Sequence, residues 1–179
     1  LLKAHDNAAT TWFNLVDPRT SATLNQYKTN TGNSGWRDNA YYLDGDKYWQ
    51  TIAELGGSST TTIEVFGDLS LESMEAYANY ISRANTADHG IWIKKGENTL
   101  WWKANVEGLA LSARPSIPNW DGKGFSAVLD TKQAVLYTGG VAGTPQTRTD
   151  SKSLPGCKYN IGCAYSTTYY PTKGIFYSV

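Results

Sequence analysis

Residues Ile91-Trp92-Ile93-Lys94-Lys95-Gly96-Glu97-Asn98-Thr99-Leu100-Trp101-Trp102 decide the fold. Two apolar runs rich in β-branched and aromatic residues flank a polar centre, the pattern of a β-hairpin. A two-residue type II′ turn at Gly96-Glu97 suits it, because glycine at the first central position takes φ > 0 without steric cost. That turn sets Lys94 opposite Thr99, Ile93 opposite Leu100, Trp92 opposite Trp101 and Ile91 opposite Trp102, and a four-residue loop gives the same register. Side chains alternate across a strand, so Ile91, Ile93, Leu100 and Trp102 share a core face. Trp92, Lys94, Thr99, Trp101 and Lys103 share the other face.

A second hairpin follows the same logic. Phe125-Ser126-Ala127-Val128-Leu129-Asp130 returns through Thr131-Lys132 to Gln133-Ala134-Val135-Leu136-Tyr137, with Phe125, Ala127, Leu129, Ala134 and Leu136 on one face. Further strands are expected at Ala40 to Leu43, Tyr48 to Ile52, Thr60 to Phe66, Lys158 to Cys163 and Gly174 to Val179, with a turn starting at Asp17-Pro18. Leu71 to Ala78 reads as a short helix, while Tyr77 to Ser82 also reads as a strand, and the boundary stays open. Gly, Pro, Asn and Asp punctuate the chain about every ten residues, and long amphipathic helical stripes are absent. The pattern is an all-β antiparallel sandwich of two sheets, with Ile161 joining the inward set.

The 179 residues suit one domain, and we expect a single domain over residues 1–179, cut from a longer protein because the chain starts without Met and stops on a strand. Lys plus Arg number 16 and Asp plus Glu number 16, so the basic footprint of a nucleic-acid binder or a polybasic membrane anchor is missing. No run approaches the ~20 apolar residues of a membrane span, which argues against membrane insertion. Against a single Met stand 7 Trp and 12 Tyr, an aromatic load that reads as a functional clue. Cys157 and Cys163 bracket an extended segment, which sets their Cα atoms about 20 Å apart, too far for a disulfide. His5 and His89 make no zinc spacing with them, so no metal site is assigned.

The strand and turn pattern resembles the laminin-G-like, or concanavalin A-like, jelly roll. The resemblance rests on Phe125 to Asp130, on Val135-Leu136-Tyr137-Thr138-Gly139-Gly140, on Tyr159-Asn160-Ile161-Gly162 and on Gly174 to Val179. Thr10-Thr11-Trp12-Phe13-Asn14-Leu15 and Trp36-Arg37-Asp38-Asn39-Ala40-Tyr41-Tyr42-Leu43-Asp44-Gly45 are similar to the family's Trp-x-Asp-Leu entry and Phe-Asp-Gly strand end, with Asn14 in place of Asp. The resemblance implies a concanavalin A-like, lectin-like fold of the kind found in carbohydrate-binding modules, surface adhesins and bacteriophage appendages, and carries no catalytic signature. It also brings calcium into view, since Asp44-Gly45-Asp46 and Asp38-Asn39 offer hard oxygen ligands. Asp-Gly is equally the ordinary chemistry of a turn, so calcium is left as a possibility and no cofactor is assigned.

Sugars present apolar C–H faces that stack on aromatic rings and hydroxyls that need polar partners. Trp92 and Trp101, beside Lys94 and Lys103, are the first candidates for such a platform. Packing under a loop or a neighbouring domain is the competing reading of that pair. Trp120, Asp121 and the loop tyrosines Tyr165, Tyr169 and Tyr170 are further candidates, as loops at a sandwich end commonly carry function. A glycoside hydrolase needs two carboxylates about 5–9.5 Å apart. The nearest set, Glu64, Asp68 and Glu72, spaces neighbours about 13 Å apart along a strand, so the chain is expected not to be an enzyme. The expectation is a non-catalytic carbohydrate-binding or adhesion domain of an extracellular, cell-surface or virion-surface protein, with glycan and neighbouring domains as partners. A structural or assembly domain of a phage tail or capsid appendage is the alternative, and a glycosidase the third reading.

Overall fold

A computed structural model describes residues 9–13, 17–26, 32–38, 40–55, 57–71, 76–84, 89–106, 109–110, 115–148, 156–164 and 172–178. The described strands are β1 (Thr11–Trp12), β2 (Ala22–Gln26), β3 (Gly35–Arg37), β4 (Ala40–Asp44), β5 (Lys47–Thr51), β6 (Thr61–Leu69), β7 (Tyr77–Arg83), β8 (His89–Lys94) and β9 (Leu100–Val106). They continue with β10 (Leu109–Ala110), β11 (Ser116–Ile117), β12 (Lys123–Leu129), β13 (Gln133–Thr138), β14 (Val141–Ala142), β15 (Gln146–Thr147), β16 (Tyr159–Ile161) and β17 (Lys173–Ser178). A single 3-10 turn, Pro18–Thr20, is the one described helical element; the amide of Thr20 donates to the carbonyl of Asp17, as a turn opening at Asp17-Pro18 requires.

Two antiparallel sheets form a jelly-roll sandwich. One runs β1-β2-β5-β16-β7-β8-β9-β10 with β11 also on β9; the other runs β14-β13-β12-β6-β17-β4-β3 with β15 also on β13. Neighbours far apart in sequence, such as β16 between β5 and β7 and β17 between β6 and β4, are what closes each sheet. Period-two burial places the core: along β6, Val65 and Leu69 are buried while Glu64, Phe66 and Asp68 are exposed. All nine expected inward residues, Ile91, Ile93, Leu100, Trp102, Phe125, Ala127, Leu129, Leu136 and Ile161, are buried. Removing each large apolar side chain from water stabilises the sandwich by about 1.5–3 kcal/mol.

Both hairpins take the expected register. Ile91 pairs with Trp102, Trp92 with Trp101 and Ile93 with Leu100, and in the second hairpin Leu129 pairs with Ala134 and Ala127 with Leu136. The β8–β9 turn differs from the two-residue type II′ form. The amide of Glu97 donates to the carbonyl of Lys94 at 3.1 Å, which makes Gly96 the third residue of a type II-like turn with φ 81°, and Asn98 follows at φ 46°. The loop is therefore the four-residue one, and since the two loops differ by an even count the register is unchanged. The second turn is held by the Asp130 carboxylate, which accepts the amides of Lys132 at 2.6 Å and Gln133 at 2.7 Å.

Tyr77 onward is strand, and the alternative helix is excluded for Tyr77 and Ala78; residues 72–75 lie outside the described residues. In β7 the residues Ala78, Asn79, Tyr80, Ile81 and Ser82 are all buried, on both faces of the strand. Five of the seven tryptophans, Trp12, Trp36, Trp49, Trp102 and Trp120, are buried as well. Trp12, Trp36, Tyr41 and Trp49 pack with ring centroids 5.0–5.9 Å apart. Tyr80, Phe125, Phe176 and Trp120 make a second cluster, so much of the aromatic content serves the core. Cys157 and Cys163 are buried free thiols, Cys157 in the main core and Cys163 against Tyr48 in a separate small cluster. Among the described residues no helix is long and apolar enough to cross a membrane.

Candidate functional site

With five tryptophans in the core, Trp92 and Trp101 are the two left half-buried. Their parity puts them on the outer face of the nine-stranded sheet, because their strand neighbours Ile91, Ile93, Leu100 and Trp102 all point inward. Three rows of side chains cross that face. The middle row is Asn79, Trp92, Trp101 and Ser116, from β7, β8, β9 and β11. On one side of it Tyr77 pairs with Lys94; on the other, Ser82 pairs with Gly90 and Gly90 with Lys103.

The β7 flank of this face is raised by a return of the chain. After β16, Gly162 adopts φ 75°, a conformation that only glycine takes cheaply. The chain then folds back over the sheet. The carbonyl of Cys163 accepts the Ser82 hydroxyl at 2.8 Å, and that of Ala164 accepts the Asn160 side-chain amide at 3.1 Å. Asn160 itself accepts from the Gln50 amide at 2.8 Å. Farther along, the Thr172 hydroxyl is bonded to both the amide and the carbonyl of Asn79, the residue opposite Trp92. These contacts bury β7 beside the half-buried Trp92 and Trp101.

The turn end of this face carries charge. Lys94 and Glu97 form an ion pair, and Glu97 also accepts a hydrogen bond from the Trp101 side chain. The Lys94 bond and charge hold the Glu97 carboxyl below the usual range, and Glu97 in turn raises Lys94. Glu97 thus stays ionised and presents acceptor oxygens beside Trp101. The alternation of residues identified the tryptophans and lysines of this face, but not Glu97 or Tyr77. Glu97 is a turn residue that reaches back over the strands, and its one legible mark is the three-residue spacing from Lys94.

The other candidates fall differently. Trp120 is 2 % exposed, and its indole N–H donates to the Tyr80 hydroxyl at 3.2 Å, so it is a core residue and offers no stacking face; its candidacy is corrected. The Tyr80 hydroxyl donates in turn to the Gly122 carbonyl at 2.6 Å, which ties this turn to β7. Asp121 is exposed and accepts the Lys123 amide at 3.0 Å, the bond of a turn. Tyr165, Tyr169 and Tyr170 lie outside the described residues. Asp44 pairs with Lys173 at 3.2 Å and accepts the Asn33 amide, and Asp46 accepts from Ser34. Among the described residues no three acidic, His or Cys side chains gather around a metal position. Glu64 and Asp68 alternate along the outer face of the eight-stranded sheet, where Glu64 accepts the Ser126 hydroxyl at 3.0 Å.

No family model and no curated protein matches the sequence. Solved structures do match. Domain 4 of AbnA, a GH43 extracellular arabinanase from Geobacillus stearothermophilus in complex with arabinotriose, aligns over 87% of this chain and 78% of its own, at 16% identity and a TM-score of 0.59. The alginate lyase AlgAT5 of polysaccharide lyase family 7 aligns over 97% of this chain and 82% of its own, at 12% identity and a TM-score of 0.45. The shared property is the fold. The expectation that the chain is not an enzyme is corrected: the fold shared at a TM-score of 0.59 is that of a domain of a glycoside hydrolase, so the missing carboxylate pair does not exclude catalysis. The sequence reading behind it weighed the carboxylate pair of a hydrolase and a Ser/His/Asp triad, and so had no bearing on other chemistry.

Proposed function

We propose that this domain binds a polysaccharide on the outer sheet face at Trp92 and Trp101. The observation that carries the reading is the direct cross-strand pairing of the only two tryptophans outside the core, on the side of the sheet that faces away from it. Two adjacent rings offer consecutive sugars an apolar floor, and Glu97, Lys94 and Tyr77 bring an acceptor, donors and a phenol to its edge. The arabinanase domain that shares the fold is known with arabinotriose, which supports a saccharide as ligand. The setting we propose is extracellular, on a cell or virion surface, where adhesion to polysaccharide is useful.

Binding to an array of plant, algal and bacterial polysaccharides tests the reading, with Trp92→Ala and Trp101→Ala as controls. At least one polysaccharide is expected to bind the parent domain and to be lost from both variants. Absence of binding across the array, or binding indifferent to both substitutions, overturns the assignment. The same polysaccharides are assayed for released reducing ends and unsaturated products.

A further inference from the structure

We draw no further inference here: the strongest candidate, the surface patch of exposed Phe66 and Tyr177 on the outer face of the eight-stranded sheet, is flanked along β6 by Glu64 and Asp68 with Lys123 opposite Asp68, and nothing in the structure shows what covers it.

Discussion

The hydroxyl of Thr172 accepts the amide N–H of Asn79 and donates to its carbonyl, both at 3.0 Å, although the two residues stand 93 positions apart. It acts as a single-residue replacement for a neighbouring strand at the place where β7 carries its bulge, between Asn79 and Ile81. Thr172 is fully buried and Asn79 nearly so, leaving no water to take over either bond. Thr172→Val keeps the shape and deletes both bonds, so it should lower stability by about 1–3 kcal/mol, and Thr172→Ser should recover most of the loss. Urea unfolding of the two variants decides this, and equal stability of Val and parent would show that the bonds contribute nothing net.

Arg148 makes a comparable tie among the loops at one end of the sandwich. Its guanidinium, in a residue 6 % exposed, donates to the carbonyl of Ser59 at 2.7 Å and to that of Asp130. It thereby joins the approach to β6, the β12–β13 turn and β15. Arg148→Met keeps much of the stem and loses both charge-assisted bonds, a cost expected at about 1.5–3 kcal/mol by chemical denaturation. Arg148→Lys should rescue little, because both bonds come from Nη1 and the lysine ammonium ends one bond short of that atom.

Alkaline stability should depend on Cys163. Burial pushes its thiol up to about 12. In the unfolded chain a thiol ionises near pH ~8.5, so between these values the unfolded state has released a proton that the folded state keeps. The contribution is whole below about pH 8.5 and is lost as pH rises toward 12, by up to about 1.4 kcal/mol per pH unit. Unfolding free energies at pH 8 and 10.5 should fall less for Cys163→Ala than for the parent. A thiol reagent at pH 8 should label the folded protein slowly and find both Cys157 and Cys163 once it is unfolded, since both are buried free thiols.

How much of this was legible in the sequence follows from how local each signal is. The Trp92 and Trp101 pairing needs only parity and an even loop, both contained in twelve consecutive residues, and the register survives although the turn type differs. Trp120 looks like a loop aromatic beside Asp121-Gly122, and only its bond to Tyr80, 40 positions earlier, shows it to be core. The cover over β7 is less legible still. It depends on Ser82 meeting Cys163 and Asn79 meeting Thr172, contacts 81 and 93 positions apart that no periodicity encodes. Glu97 is hidden for another reason: alternation says nothing about where a turn side chain reaches.

Three adjacent tryptophan positions give the sharpest separation of site from scaffold. Trp101 and Trp102 are consecutive and point to opposite faces; Trp102 is fully buried, while Trp101 and its partner Trp92 are half-buried on the outer face. Trp102→Ala leaves a cavity between the sheets and should cost about 3–5 kcal/mol of stability. Trp92→Ala and Trp101→Ala remove a cross-strand aromatic contact worth about 0.2–1 kcal/mol beyond the area they bury, and should cost clearly less. Their effect belongs to the ligand, where losing an aromatic anchor should weaken polysaccharide binding by about 1–3 kcal/mol, or roughly 5- to 150-fold in Kd. Thermal or urea unfolding read beside binding isotherms makes the comparison. Equal destabilisation by all three substitutions, with polysaccharide affinity unmoved, would mean that Trp92 and Trp101 hold the sheet together and that the ligand lies elsewhere.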